Sequence, residues 1–389
     1  MRIKEEKVMN KKLIEMTGGY LLPPGEHIQD WLTECGMPVL EFCKRMEISK
    51  PTYYRILNGT QPITADTARK LELVTGASAE FWSKLEADYR HQVLCQEAEE
   101  QAENQKNWIK KQPISDLIAA NFLPADFRKR RIGEQLSALC SFYNVSSVDA
   151  YEEIHTPYSF AARAVKGIES NSAALTAWLQ MAARVALEHI PALDSYDAEA
   201  FKNTLDVIRH QTMAIDSGAL SMKDFLLQVK AELAKTGVEI IYLKKVKGVK
   251  NLNGVAFWLK EHPVIVLTLH SCVLDRIVFS LYHEAAHILE GKRELIYVTD
   301  KENSDIELAA DAKAAEMLIP STFNNQICLG NGSLSIMRNI AKRVGVSVAI
   351  VVGRYQKLCN RFFTTREYHM PMIKWDDIGS WVLVGKYAI

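Results

Sequence analysis

Residues 281–291, LYHEAAHILEG, hold two histidines four positions apart with a glutamate beside the first. On a helix, positions i and i+4 share a face, so the His283 and His287 imidazoles can reach one cation. Glu284 stands where a general base would draw a proton from water. Zinc brings the pKa of such water to about 7, and another divalent metal such as manganese is the alternative cofactor. Nineteen residues separate His287 from Glu307, room for a turn, a strand and a return. Glu307 and Asp311 are themselves four apart in IELAADAKAAEMLI (306–319), so they face one way. Glu307 is the candidate third ligand, and Asp311 is placed to orient a ligand histidine from behind. Three protein ligands leave a coordination position open, the mark of a catalytic site. The plain alternative is a surface helix with solvated histidines, and the second acidic helix weighs against it.

A second chemistry lies in PVLEFCKRMEISKPTYYRILNG (38–59). Pro38 suits a first helical turn, where its missing N–H leaves nothing unpaired. Leu40, Phe42, Cys43 and Met46 form an apolar stripe, Ile48 belongs in a buried turn, and Ser49 is a good N-cap for the next helix. Tyr53, Ile56 and Leu57 then point inward, and Asn58-Gly59 closes the helix. Two helices so joined place the second in the DNA major groove. Its outward residues are Lys50, Pro51, Thr52, Tyr54 and Arg55, with Lys44 on the preceding helix. Between 42 and 70 there are six basic residues (Lys44, Arg45, Lys50, Arg55, Arg69, Lys70) against Glu47 and Asp66. That local excess supplies phosphate contacts, although the whole chain of 389 residues has a formal net charge of zero.

The elements that must position these residues follow from pattern. Hydrophobic residues make up 48% and charged residues 24%, so a packed core is within reach. Residues 1–20 read as a mobile, charged lead-in, and 21–93 as a domain of short helices. The polar stretch 94–112 reads as a solvated helix or a linker. Residues 113–212 form a helical middle region. In ALTAWLQMAARVALEHI (174–190), Leu175, Trp178, Leu179, Ala182 and Val185 recur at helical spacing. The pattern changes in 213–325. VEIIYLK (238–244), GVAFWL (254–259), PVIVLTL (263–269) and ELIYVT (294–299) read as strands. A helix from Val273 to Glu290 carries the histidines, and a second is stopped before Pro320. Residues 326–389 hold two helices, over roughly 333–360, and an aromatic tail. The fold class is mainly α with a smaller α+β part.

The N-terminal residues also resemble the HigA-like branch of the Xre helix-turn-helix family. PPGEHIQDWL (23–32), the two-helix core and ITADTARKLELVTGASAEFWSKLEADY (63–89) carry the likeness. Glu47 departs from it, because that turn usually holds glycine; a left-handed conformation there costs about 1 kcal/mol. The C-terminal half is similar to the ImmA/IrrE metallopeptidases, a minimal gluzincin-like fold. GVAFWLKEHPVIVLTL, DRIVFSLYHEAAHILEG and IELAADAKAAEMLIP carry that likeness, and DFRKRRIGEQL with FYNVSS (126–147) belong to the middle region of such fusions. Asp311 stands where that family has Asn and keeps an acceptor; Ala286 replaces a frequent glycine and is still small. The resemblance implies an N-terminal all-α helix-turn-helix domain, a helical middle and a C-terminal zincin-like α+β domain. It implies a regulator of a toxin–antitoxin or mobile-element locus whose zinc metallopeptidase cleaves a repressor, in cis or in trans. The rival reading is a non-proteolytic antitoxin whose zincin-like domain only binds a toxin or a metal.

Operator DNA and a repressor or toxin protein are the expected partners, and a homodimer the expected state. The charged N-terminus shows no leader, and no apolar run spans a membrane, so the cytoplasm is expected. Seven widely spaced cysteines suggest reduced, mostly buried side chains. Phe127–Arg131 (FRKRR) reads as a solvated face or domain contact before a second DNA site. His270 reads as a surface residue before a stabiliser of a tetrahedral intermediate. Tyr282 and Tyr297 read as packing residues, and Trp375 and Trp381 as a lid or a small core. Strand PVIVLTL is expected to hold an extended peptide at its edge, and the stretch 95–112 to be a flexible substrate.

Overall fold

The computed structural model describes residues 14–16, 19–154, 172–250, 252–269, 273–291, 301–361 and 368–375. The chain divides into two units: residues 1–107 with 130–137, and residues 108–129 with 138–389. Within the lead-in, β1 (Ile14–Met16) and β2 (Gly19–Leu21) pair antiparallel.

The first unit is built on five helices: α1 (Pro24–Cys35), α2 (Val39–Arg45), α3 (Lys50–Leu57), α4 (Ala65–Thr75) and α5 (Ala79–Asn104). Three of the five starts carry a side-chain cap. Ser49 Oγ accepts the Thr52 N–H, Thr64 Oγ1 the Thr67 N–H, and Ser78 Oγ the Phe81 N–H. Gly36 and Gly76 end α1 and α4 in the left-handed conformation that glycine adopts without strain. Ile28, Phe42, Met46, Tyr53, Ile56, Leu71 and Trp82 meet in one core. Leu40 does not join it; it is 52% exposed, a correction to the apolar stripe. Ile48 and Leu57 are only partly buried against that core. The polar stretch from Cys95 continues α5 to Asn104, and α6 (Lys106–Lys111) follows with Trp108 and Ile109 buried. It is helix, not an extended substrate segment.

Helix α7 (Ile114–Ala119) belongs to the second unit, and α8 (Ile132–Tyr143) begins in the first and ends in the second. Gly133 N–H donates to Glu99 Oε2 at 2.9 Å, which holds the start of α8 against α5. In the second unit Trp108, Tyr143 and Tyr151 pack edge to face. Phe127 is buried, Arg128 Nη2 donates to Ser115 Oγ, and Arg131 pairs with Glu134 at 3.1 Å, so the FRKRR cluster is tied into its surroundings. Helix α9 (Ser172–His189) buries Leu175, Trp178 and Ala182, while Leu179 and Val185 are half-buried. Helices α10 (Ala198–Gln211) and α11 (Met222–Ala234) follow.

A three-stranded sheet comes next, in the order β3 (Glu239–Tyr242), β5 (His262–Leu267), β4 (Gly254–Leu259). β3 runs parallel to β5 and β4 antiparallel to it. Strand PVIVLTL is therefore central, with both edges paired, and cannot take up a peptide by strand addition. Buried Glu239 on β3 accepts from Lys230 Nζ at 2.6 Å and meets His189 Nδ1 at 2.7 Å, joining the strand to α9 and α11. Helix α12 (Leu274–Leu289) lies on the sheet, and α13 (Lys301–Leu318) packs beside it. Then come α14 (Asn324–Leu329), α15 (Leu334–Val344) and α16 (Val348–Cys359). One core runs from Phe201 to Ile373 through all of these elements. Trp375 packs against it and donates to the Thr268 carbonyl at 3.1 Å, so it closes a core. Strand ELIYVT, His270, Cys272, Tyr297 and Trp381 lie outside the described residues.

Among the six described cysteines, only Cys43 and Cys140 are buried. The expectation of mostly buried thiols therefore fails. No helix among the described residues is long and apolar enough to cross a membrane.

Candidate functional site

Helix α12 turns Ile277, Val278, Leu281, Tyr282, Ala285 and Ile288 into the core. That burial fixes its rotation and points His283 and His287 along the opposite side, toward α13. Tyr282 is wholly buried and its hydroxyl donates to the Leu205 carbonyl, so it is a packing residue. Ala286 is fully buried as well, which explains why a small residue suffices there.

His283, His287 and Glu307 bring one potential ligand atom each within 4.8 Å of the others. His283 Nε2 lies 3.0 Å from Glu307 Oε2 and 3.2 Å from His287 Nε2. His287 Nε2 is 3.4 Å from Glu307 Oε1. On the far side of the first ring, His283 Nδ1 is 2.9 Å from Asp311 Oδ1. A proton held on Nδ1 by Asp311 leaves the Nε2 lone pair facing the other two groups. Two imidazole lone pairs and a carboxylate converging on one point suit a divalent cation with one position left open. These residues fit such an ion.

The carboxylates around His283 favour a second proton on its ring, and a cation binding there would displace that proton. Burial works against a charge on His283, but the hydrogen bonds to Asp311 and Glu307 outweigh it and raise its pKa to about 10. Burial pushes Glu307 upward, yet the bonds to His283 and His287 win and bring it down to about 2. Burial dominates at Glu284 and raises it to about 7, with the two histidines partly opposing.

Glu284 sits under β4. A Cβ built on Gly254 would stand 2.8 Å from Glu284 Oε1, and the Ala256 backbone N–H bonds to the same carboxylate. Residue types alone did not disclose this contact. Its one signal is the glycine that opens GVAFWL, since glycine in a strand often marks a close approach. A cavity at the N-terminal half of α12 is lined by Asp275, Phe279, Leu318, Ile319, Ile350 and Arg354, and neither histidine lines it. The Phe279 ring lies 6.5 Å from the His283 ring.

In the first unit, α2 and α3 are joined by a turn in which Glu47 has φ 53°. This is the left-handed conformation anticipated for a residue replacing glycine, and Lys70 Nζ pairs with its carboxylate at 3.2 Å. Lys50, Pro51, Tyr54 and Arg55 on α3 are exposed, as is Lys44 on α2, and Thr52 is half-buried. Arg45 is engaged by Glu41 at 2.6 Å, whereas Lys44, Lys50 and Arg55 make no ion pair among the described residues. Arg55 is aimed instead by neutral partners: Nε donates to Gln61 Oε1 at 3.0 Å and Nη2 to Thr52 Oγ1 at 3.3 Å. Gln61 was not foreseen from the sequence, because it lies beyond the helix end.

A family model described as Helix-turn-helix matches residues 28–82, the span from α1 to the start of α5. The chain is 38% identical to the "Uncharacterized HTH-type transcriptional regulator YddM" of Escherichia coli (strain K12) over 63 residues, covering 16% of this chain and 67% of that protein. No solved structure matches. With the family match running from α1 to the start of α5, and with Lys44, Lys50 and Arg55 exposed on α2 and α3, the chain belongs to the helix-turn-helix family of DNA-binding transcriptional regulators.

Proposed function

We propose that the protein is a transcriptional regulator whose second unit is a zinc-type metallopeptidase, with His283, His287 and Glu307 as ligands, Asp311 behind His283, and Glu284 as base. The observation that carries this reading is the convergence of two Nε2 atoms and a carboxylate beside a buried glutamate. A divalent cation held there supplies Lewis acidity, which polarises a carbonyl and acidifies water. Glu284 takes the proton from the attacking water and passes it to the leaving amine, while the oxygen bonds to the carbonyl carbon and the C–N bond breaks. β4 offers a sheet edge next to Glu284, and its outer side has no partner strand among the described residues. An extended peptide adds to such an edge by main-chain hydrogen bonds. The cavity lined by Phe279 and Leu318 then receives a side chain.

The substrate has to be extended, and residues 95–112 are helical. This favours cleavage in trans, of a partner repressor, over self-cleavage. Purified protein holding zinc or manganese is expected to fragment such a partner, with the products read by mass spectrometry. His283→Ala/His287→Ala is expected to lose the bound metal, by elemental analysis after dialysis, and the cleavage with it. Equal metal in wild type and variant would remove the site. Retained metal without cleavage of any neighbouring-locus protein would leave a domain that only binds a toxin or metal.

At the DNA end, a homodimer recognising a two-fold operator is the arrangement helix-turn-helix modules use, with half-sites roughly 34 Å apart. Lys50, Pro51, Thr52, Tyr54 and Arg55 face bases and Lys44 a phosphate. Arg55→Ala is expected to weaken specific binding by about 1–3 kcal/mol and to relax sequence preference. Footprinting on the protein's own promoter is the measurement. An Arg55→Ala/Lys50→Ala double variant with an unaltered footprint and affinity would show that α3 does not read the operator.

A further inference from the structure

A pair of thiols in the second unit lies outside the His283–His287–Glu307 cluster, with Cys359 packed against the margin of the core and Cys328 exposed. Cys328 on α14 is exposed, and Cys359, the last residue of α16, is half-buried. Their Sγ atoms are 3.2 Å apart. A disulfide needs about 2.05 Å, so an approach of about 1 Å joins them. The helices carrying them are already held in register on both sides of the sulfurs. Arg354 Nε donates to Asn324 Oδ1 at 3.2 Å, and Arg361 Nη1 donates to Asn331 Oδ1 at 2.7 Å. Ile327 and Tyr355, each buried, fix the inner faces of the two helices. Both sulfurs sit at helix ends, where Asn331 and Asn360 turn the chain with positive φ, so the last turns can adjust without disturbing the core.

The two sulfurs differ in a way that sets the order of events. The Cys359 S–H donates to Cys328 Sγ, and this bond, with some burial, holds the proton on Cys359 and raises its pKa. Cys328 receives that bond and faces solvent, which makes it the accessible nucleophile.

We propose that Cys328 and Cys359 form a reversible disulfide, a redox modification site that fastens α14 to α16. The oxidant is a small-molecule disulfide such as oxidised glutathione. The Cys328 thiolate attacks one reagent sulfur; the reagent S–S bond breaks, and one thiolate leaves. The Cys359 thiolate then attacks Cys328 Sγ, the protein S–S bond forms, and the second reagent thiolate leaves. Two protein thiols lose two electrons and two protons, and one reagent disulfide becomes two thiols. The bond closes a loop with thirty residues between the cysteines. Helix α16 packs on α12, and a Cβ on its Gly353 would meet Asp275 Oδ2 at 2.4 Å. The cross-link therefore stiffens the helix that backs the histidine-bearing one.

The test uses the full chain. Reduced protein is incubated with oxidised glutathione, the remaining thiols are alkylated, and tryptic peptides are mapped by mass spectrometry. The expected result is a Cys328–Cys359 linked peptide pair, reversed by dithiothreitol. The thermal midpoint of the second unit should rise by about 10 °C on oxidation. Cys328→Ser and Cys359→Ser should each lose the rise, while Cys95→Ser keeps it. Glutathione adducts at Cys328 without the linked pair would overturn the proposal, as would an equal rise in Cys359→Ser. Should a serine variant fail to fold, the peptide map of the wild-type protein decides alone.

Discussion

Replacing Glu284 with glutamine is expected to lower peptide-bond cleavage by about 10²–10⁴-fold, the range a positioned general base contributes. The substitution keeps size and shape. Its amide oxygen can still accept the Ala256 N–H, and the side chain still fits beneath Gly254. What it loses is a basic oxygen in a site that burial already makes unusually proton-seeking, with the carboxyl raised to about 7. The three clustered ligand-type atoms belong to His283, His287 and Glu307, none of them to residue 284. Metal content by elemental analysis should therefore match wild type while cleavage of the partner protein collapses. Equal rates for wild type and Glu284→Gln would take the base away from Glu284, and with it the peptidase reading.

Gly25→Ala is expected to damage the other unit just as selectively. Gly25 is buried in the first turn of α1, and an added Cβ would lie 2.3 Å from Leu57 Cα and 2.5 Å from the Ile56 carbonyl oxygen. These are backbone atoms of α3, so no rotamer change relieves the clash and the helices must part. Parting them disturbs the Tyr53 hydroxyl bond to Gln29 at 2.5 Å and the burial of Ile28. Overpacking of this kind costs about 1–3 kcal/mol and sometimes more. With backbone on the receiving side we expect the upper end, a loss of about 3 kcal/mol or over a hundredfold in folding equilibrium. Thermal melting of the full chain should show the first unit unfolding earlier. Operator affinity should fall with it, and cleavage at the metal site should persist. An unshifted melt with normal DNA binding would mean that α1 and α3 do not sit this close.

Much of the helix-turn-helix unit was legible because its determinants are local. Ser49 and Asn58-Gly59 act within a turn of their own position, and Glu47 announced its left-handed backbone by standing where glycine is usual. The clustering of His283, His287 and Glu307 was legible for a similar reason: spacing of four on each of two helices fixes a shared face. Strand order was not. GVAFWL and PVIVLTL both read as strands, and which is central depends on pairing with residues far away in sequence. A weak signal existed, since β5 is buried at all positions but its first while β4 is half-open at both ends. An unbroken apolar run of that kind suits a strand covered on both sides. Leu40 misled because α2 has only seven residues, too few for periodicity to fix which side faces in. The Cys328–Cys359 approach had no sequence signal, because it depends on how α14 docks on α16.

The interleaving of the two units along the chain bears on how the protein is made. Ribosomes release the chain from its N-terminus at about 5–20 residues per second, and domains fold as they emerge. The core between Ile28 and Trp82 is complete before any of the sheet at 239–267 has been synthesised. Trp108, Ile109, Leu117 and Phe127, buried in the finished second unit, emerge early as well. Trp108 must wait for Tyr143 and Tyr151, its aromatic neighbours, to leave the ribosome. Meanwhile Arg130–Ser137 returns to the first unit and tethers the waiting segment at both ends. That tether limits the reach of the exposed apolar side chains during the interval when aggregation is the main hazard. A nascent chain thus completes its helix-turn-helix core well before His283, His287 and Glu307 can come together.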